Sequence, residues 1–108
     1  MKLIIDIDGV IAVETPGKYS QGDFENAEIV EGAAQSLKEL YKEHEIILNS
    51  ARHTQDFILT RKWLIDHSIP YHGLYLGKIR GDKYIDDNAI KFTSWEKMME
   101  ELDNETKK

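Results

Sequence analysis

The 108-residue sequence contains no cysteine, so it has no disulfide, no thiolate nucleophile and no cysteine-ligated zinc site. Basic residues are also scarce: 14 lysines and arginines stand against 20 aspartates and glutamates, which gives a net charge of −6. This surplus of acid opposes non-specific nucleic-acid binding, which depends on basic side chains that neutralise phosphates. It remains compatible with one small phosphorylated molecule in a pocket.

Long hydrophobic runs are absent as well. The first apolar run is broken at Asp6, which leaves it too short for the core of a signal peptide. No stretch approaches the roughly 20 apolar residues of a membrane span. We therefore expect a cytoplasmic protein without a membrane partner. The length predicts one domain over residues 1–108, with a frayed tail at 103–108.

What the sequence does contain is an alternation of strand-like and helix-like segments. Strands are predicted over residues 3–7, 45–49, 74–76 and 83–86. Helices are predicted over residues 31–44 and 54–67 and around Trp95. Residues 11–30 predict a loop whose length, in so small a domain, is typical of a functional element. The alternation predicts an α/β, three-layer Rossmann-like fold with a mainly parallel sheet.

Polar residues stand at the carboxyl end of each predicted strand, which is where such sheets bind their ligands. In chain order they are Asp6 with Asp8, then Asn49 with Ser50, then Lys78, and finally Asp86 with Asp87. Gly9 follows the first acidic pair and allows the chain to turn at once. The sequence therefore predicts that these side chains meet at one edge of the sheet.

Several carboxylates gathered at one edge need compensation. Two unit charges 4 Å apart repel by about 4 kcal/mol at an effective dielectric near 20, so the acids must take up protons, gain cationic partners or bind a hard cation. Oxygen ligands without cysteine favour Mg²⁺. A serine hydroxyl and a lysine ammonium would then suit a phosphoryl group, although strand periodicity fits Lys78 and Lys83 equally. One aspartate could attack phosphorus and a second could move protons.

Four segments resemble, in order, the motifs of the haloacid dehalogenase (HAD) superfamily of phosphohydrolases. They are DIDGV at 6–10, IILNSAR at 46–52, LGK at 76–78 and KYIDDNAI at 83–90. The resemblance covers about residues 3–92 and is closest to small capless phosphatases, including those of capsule and polysaccharide biosynthesis. The gaps between the motifs are too short for a cap domain. The resemblance thus implies a HAD-like core without a cap, and an open site that a homo-oligomer neighbour could cover.

The resemblance also implies a role for each matched residue. The catalytic residues would be Asp6 as nucleophile, Asp8 as general acid and base, and Ser50 and Lys78 as partners of the phosphoryl group. The metal ligands would be Asp6, Asp8, Asp86 and Asp87. The substrate-binding residues would be Gly9, Ala51 and Arg52, the last because a guanidinium suits an anionic group.

Together these features predict a Mg²⁺-dependent phosphatase that hydrolyses a small phosphomonoester, a sugar phosphate or a nucleotide, through an aspartyl-phosphate intermediate. One alternative is a polynucleotide 3′-phosphatase, which an open site would admit but which the acidic charge opposes. Another is a non-catalytic phosphate-binding module on the same fold. A receiver-type phosphoacceptor uses similar groups, but the acidic pair that follows the lysine breaks its order.

Overall fold

Three parallel strands form the sheet of this computed structural model, which describes residues 1–106. The strands are β1 (Lys2–Ile5), β2 (Glu45–Asn49) and β3 (Gly73–Tyr75), in the order β1-β2-β3. Because all three run in the same direction, their carboxyl ends lie at one edge, as the alternating sequence pattern predicts.

Four α-helices accompany the sheet. They are α1 (Gln21–Glu25), α2 (Ala33–Tyr41), α3 (Phe57–Asp66) and α4 (Trp95–Thr106), and a 3₁₀ turn over Thr54–Asp56 leads into α3. The sequence did not predict α1, which lies inside the 11–30 loop. None of the helices in residues 1–106 is long and apolar enough to cross a membrane.

The C-terminal helix begins at Trp95, where the sequence predicts a helix, and continues to Thr106. The hydroxyl of Ser94 accepts a hydrogen bond from the Lys97 amide at 3.2 Å and so caps the first turn. Residues 103–106, which were predicted to fray, lie in α4. Residues 107 and 108 lie outside the described residues.

One face of the sheet carries the hydrophobic core. Ile46 and Leu48 of β2 are fully buried in a single cluster with Leu37 of α2, Leu64 of α3 and Trp95 of α4. Burial of each such side chain stabilises the fold by roughly 1.5–3 kcal/mol. Because side chains alternate along a strand, the residues between the buried ones point to the opposite face of the sheet. There Ile4 and Tyr75 are 58% and 62% exposed.

Two tryptophans tie the 11–30 loop to the helices. The indole Nε1 of Trp95 donates to the carbonyl of Val10 at 2.8 Å, just before the loop begins. The indole Nε1 of Trp63 donates to the carbonyl of Ala27 at 3.0 Å, near the end of the loop. The two ends of the loop are therefore anchored to the same core that supports the sheet.

The fourth predicted strand, residues 83–86, is absent from the sheet formed within residues 1–106. The prediction of this strand is wrong. Ile85 is 99% exposed, and the Tyr84 hydroxyl donates to the carbonyl of Ile79 at 2.9 Å and accepts from the Gly81 amide at 3.1 Å. The run has only two apolar side chains, so burial offsets little of the entropy lost on ordering it. The Tyr84 side chain instead binds the backbone of residues 79 and 81.

Candidate active site

Asp6 lies directly after β1, where its carboxylate meets a lysine. Its Oδ1 accepts a hydrogen bond from the Ile7 amide at 2.8 Å, and its Oδ2 lies 3.8 Å from Lys78 Nζ. Burial raises the pKa of Asp6 above its usual value, against the lowering effects of Lys78 and the Ile7 amide, and the charges of Asp8 and Glu14 raise it further. The side chain is still 39% exposed, so a ligand can reach it.

Lys78 is positioned by backbone contacts after β3. Its amide donates to the carbonyl of Ser50 at 2.9 Å, and the preceding Gly77 amide donates to the carbonyl of Arg52 at 2.8 Å. The ammonium also lies 4.4 Å from the centre of the Tyr84 ring. The other candidate lysine, Lys83, is exposed. The structure therefore brings Lys78 to Asp6.

Asp8 is paired with a buried arginine. Arg52 donates from Nη2 to Oδ1 of Asp8 at 2.7 Å and from Nε to Oδ2 at 2.9 Å. Its third nitrogen, Nη1, donates to Thr60 Oγ1 at 3.0 Å, and the guanidinium lies 4.0 Å from the centre of the Phe24 ring. Arg52 is only 3% exposed. Three of its five N–H groups therefore donate to Asp8 and Thr60, where the sequence suggested a substrate anion as the partner.

Ser50 and Ala51 connect β2 to this arginine. Ser50 is fully buried, and its Oγ accepts from the Arg52 amide at 3.1 Å while its own amide donates to the carbonyl of Tyr75 at 2.9 Å. Because Ser50 is fully buried, this hydroxyl holds the Arg52 backbone in place. Ala51 is half-buried between them.

Gly9 makes the turn that the sequence predicts after the acidic pair. Its φ is +90°, in the left-handed region that favours glycine, and its amide donates to the carbonyl of Ala12 at 2.8 Å. The carbonyl of Ile7 accepts from the Ile11 and Ala12 amides at 2.8 and 2.9 Å. This tight turn presents Asp8 at the start of the 11–30 loop.

The four acids predicted to share a metal ion do not meet. Asp86 and Asp87 are exposed, and the Asn88 amide, which donates to Asp86, lowers the pKa of that carboxyl. Over residues 1–106 no three histidine, cysteine, aspartate or glutamate side chains are grouped to hold a metal. Both oxygens of Asp8 are bound to Arg52. The described arrangement does not fit the predicted Mg²⁺ site, because the strand that would carry Asp86 to the sheet edge is not formed.

Sequence reasoning missed Glu14, which joins the two irregular segments at the site. Its Oε1 accepts from Arg80 Nη1 at 3.3 Å and from the Tyr19 hydroxyl at 3.5 Å. The Arg80 guanidinium lies 5.1 Å from the centre of the Tyr19 ring. The sequence offers one signal for this residue, an acid placed shortly after Asp8 in a long loop.

A cavity of about 340 Å³ opens between Asp8 and the 11–30 loop. Of the four residues predicted to be catalytic, Asp8 is the one in its lining. The other lining residues all come from the loop: Val13, Glu14, Thr15, Lys18, Tyr19, Asp23, Phe24, Asn26, Ala27 and Glu28. The loop that the sequence predicts to be functional thus forms a concave surface beside the acidic pair.

Solved structures share this fold at low sequence identity. A structural-genomics target from Vibrio cholerae has a TM-score of 0.68 and 22% identity, over 96% of this chain and 98% of that one. A Pnkp1/Rnl/Hen1 complex gives a TM-score of 0.62 and 23% identity, over 75% of this chain and 30% of that one. A D,D-heptose 1,7-bisphosphate phosphatase from B. bronchiseptica, complexed with magnesium and phosphate, gives 0.53 and 14%, over 99% and 64%.

These likenesses establish the fold. The protein has a HAD-like, Rossmann-type α/β fold with a parallel sheet, so the resemblance carried by the four sequence motifs is confirmed at that level. Residues 1–106 contain no inserted cap domain. No family model matches the sequence, and no curated protein matches it either.

Proposed function

We propose that this protein is a phosphatase that hydrolyses a small phosphomonoester through an aspartyl-phosphate on Asp6. The observation that carries the proposal is the distance of 3.8 Å between Lys78 Nζ and Asp6 Oδ2. The two groups lie at the carboxyl edge of the parallel sheet, and Asp6 stands two residues before Asp8 in the sequence. The structural neighbour named as a phosphatase, which was crystallised with phosphate, supports the same chemistry on this fold.

The proposed reaction has two steps. A carboxylate oxygen of Asp6 forms a bond to phosphorus while the bond to the leaving oxygen breaks, and Asp8 delivers a proton to that oxygen. Water then gives a proton to Asp8 and attacks phosphorus, which releases phosphate and restores the Asp6 carboxylate. Lys78 neutralises charge on the phosphoryl oxygens. Ser50 is fully buried, and its hydroxyl supports the site by accepting from the Arg52 amide at 3.1 Å.

We also propose that turnover requires Mg²⁺. The support is the neighbour crystallised with magnesium and phosphate, together with the acidic motifs of the sequence, and not a preformed site in residues 1–106. The ion would supply positive charge to the phosphoryl group.

Removal of divalent metal should therefore slow the reaction. In excess EDTA we expect hydrolysis of p-nitrophenyl phosphate to fall by about tenfold or more, and excess Mg²⁺ to restore it, because phosphoryl transfer depends on neutralising charge. Release of p-nitrophenolate measures the rate, and a thermal melt in EDTA checks that the fold survives. An unchanged rate in EDTA would show that the enzyme needs no metal.

The two candidate lysines can be separated by matched substitutions. We expect Lys78→Ala to lower kcat/KM by about 100-fold, the scale of losing one preorganised charge at a phosphoryl group. Lys83→Ala, an equal loss of charge at an exposed position, should leave kcat/KM within about twofold of the unsubstituted protein. Steady-state phosphate release measures both. Equal losses, or a larger loss for Lys83→Ala, would remove Lys78 from the proposed mechanism.

A non-catalytic phosphate-binding module is the second candidate. The observation that favours it is the Arg52 clamp, which binds both oxygens of the residue proposed to move protons. Such a module would bind inorganic phosphate in a calorimetric titration yet release none from any ester in the presence of Mg²⁺. If the unsubstituted protein hydrolyses at least one phosphomonoester and Asp6→Asn does not, the protein is a phosphatase and the binding-module alternative is excluded.

A further inference from the structure

We infer that the cavity beside Asp8 receives the leaving group of the substrate and selects an uncharged, hydroxylated group, such as a sugar, over one with a second phosphate. This inference rests on the proposed function. It concerns the cavity between Asp8 and the 11–30 loop, whose loop residues take no part in the proposed catalytic steps.

The position of the cavity matches the side from which a leaving group departs. In phosphoryl transfer the attacking and leaving oxygens lie roughly in line on opposite sides of phosphorus. If Asp6 attacks and Asp8 protonates the leaving oxygen, the rest of the leaving group lies beyond Asp8. The cavity is lined by Asp8 and by loop residues, and Asp6 is not in its lining. Asp8 is therefore shared by the proposed proton transfer and by the lining of the cavity.

The size of the cavity limits what it accommodates. Its volume of about 340 Å³ is near the lower end of small-molecule sites, which span roughly 300–1,000 Å³. One small ring or a short polyol suits such a space better than a base stacked on a ribose or an oligonucleotide.

The lining offers the groups that recognise hydroxyls. Asn26 and Glu28 supply side-chain oxygens that accept hydrogen bonds, and Thr15 supplies a hydroxyl that both donates and accepts. Tyr19 is 46% exposed and offers an aromatic surface to the apolar face of a ring. Its hydroxyl is directed to Glu14.

The charge of the lining opposes a second anion. Four acidic residues line the cavity, namely Asp8, Glu14, Asp23 and Glu28, and Lys18 is the one lysine or arginine among the lining residues. The Ser20 amide donates to Oδ2 of Asp23 at 3.1 Å, and hydrogen bonds with Ser20 lower the pKa of that carboxyl, which favours its ionised form.

Neighbouring arginines compensate two of these acids. Arg52 pairs with Asp8 at 2.7 Å, and Arg80 pairs with Glu14 at 3.3 Å. Arg52 is buried, so an incoming phosphate does not reach its guanidinium, and the charge of Arg80 is already offset by Glu14. A leaving group with its own phosphate would place a second negative charge beside the acidic lining, and this repulsion would weaken its binding.

The test compares two substrates that differ by one phosphate. We expect kcat/KM for fructose 6-phosphate to exceed that for fructose 1,6-bisphosphate by about tenfold or more, since like charges at close range oppose binding. Glu28→Lys should narrow this ratio by at least about threefold, because it replaces an anion with a cation in the lining. The backbone contact of residue 28, whose carbonyl accepts from the Val13 amide, stays possible in the variant.

A matched control separates the cavity from overall charge. Glu31 is exposed and lies three residues further on, outside the lining, so Glu31→Lys changes the net charge equally and should leave the ratio unchanged. If p-nitrophenyl phosphate is hydrolysed but the two fructose esters react alike, or both lysine variants act alike, the cavity assignment is wrong and the phosphatase proposal stands.

If no ester is hydrolysed, the phosphatase proposal fails. A binding experiment then tests whether the cavity receives a sugar phosphate. Fructose 6-phosphate titrated into ¹⁵N-labelled protein should shift amide signals within residues 13–28, and Tyr19→Ala should weaken those shifts. Signals that move only outside this range, or that are the same in Tyr19→Ala, overturn the assignment.

Discussion

Replacing Asp6 with asparagine should abolish turnover. We expect kcat for p-nitrophenyl phosphate in Mg²⁺ to fall by at least about a thousandfold, because a neutral amide oxygen does not form the covalent bond to phosphorus on which both steps depend. Asparagine has the same shape as aspartate and keeps an oxygen that can accept from the Ile7 amide, as Oδ1 does at 2.8 Å. The loss would therefore report chemistry and not folding. Retained activity would exclude Asp6 as nucleophile.

The same substitution should not weaken the fold. Because burial raises the pKa of Asp6, the folded state favours the protonated form, and the charged form costs stability as the pH rises through the folded-state pKa. Asparagine removes that cost. At pH 7 in EDTA we expect the free energy of unfolding in urea to rise by at most about 0.5 kcal/mol, a small value because a 39% exposed carboxylate is well screened. The gain should shrink as the pH falls toward 4. A destabilised variant would indicate that Asp6 mainly supports structure.

Replacing Arg52 with methionine should have the largest effect on stability. The change leaves the Asp8 carboxylate, whose side chain is 11% exposed, without its cation, and removes the donor to Thr60. Loss of one partner of a buried ion pair costs about 3–5 kcal/mol. Urea denaturation measures this loss. Arg61→Met, at an exposed position on α3, is the matched control and should change stability by no more than about 0.5 kcal/mol.

A second substitution tests whether the Arg52–Asp8 ion pair accounts for the stability that Arg52→Met loses. With methionine at position 52, Asp8→Asn should recover part of the stability, because the unpaired charge is then absent, so the double-mutant cycle should show strong coupling between the two positions. Additive losses would mean that Arg52 stabilises the protein through Phe24 and Thr60 alone.

Arg52 should also affect catalysis by positioning Asp8. Arg52→Lys keeps a cation but loses the two-point contact, so Asp8 is oriented less well. We expect the loss of kcat/KM to be several-fold larger for an alkyl phosphate than for p-nitrophenyl phosphate, because p-nitrophenolate leaves without needing a proton. Equal losses for the two esters would indicate a structural role only.

The sequence predicts the parts of this site that depend on local pattern. Apolar runs followed by polar residues mark β1, β2 and β3, and parallel pairing brings Asp6, Ser50 and Lys78 to one edge. Gly9 directly after the acidic pair predicts the turn that follows. Each of these features is contained in a few consecutive residues.

Features that depend on distant side chains could not be read from the sequence. Arg52 stands 44 residues from Asp8, and Arg80 stands 66 residues from Glu14, so neither pair has a local signal. In the sequence Arg52 stands next to the predicted phosphoryl site, which suggests a contact with the substrate. In the structure its guanidinium is buried against the Phe24 ring and pairs with Asp8. The fourth strand fails for an energetic reason, since Tyr84 and Ile85 alone offer too little burial to order the run.

The two indole hydrogen bonds, one at each end of the 11–30 loop, make the tryptophans intrinsic NMR probes of the loop. The indole N–H protons of Trp63 and Trp95 each report on a separate anchor of the loop, because the first donates to the carbonyl of Ala27 and the second to that of Val10. The sequence contains two tryptophans in all, so their resonances form an uncrowded pair. Ala27 lines the cavity and Val10 does not, so the Trp63 signal senses occupancy of the cavity while the Trp95 signal serves as an internal reference. No added label is needed to follow the loop.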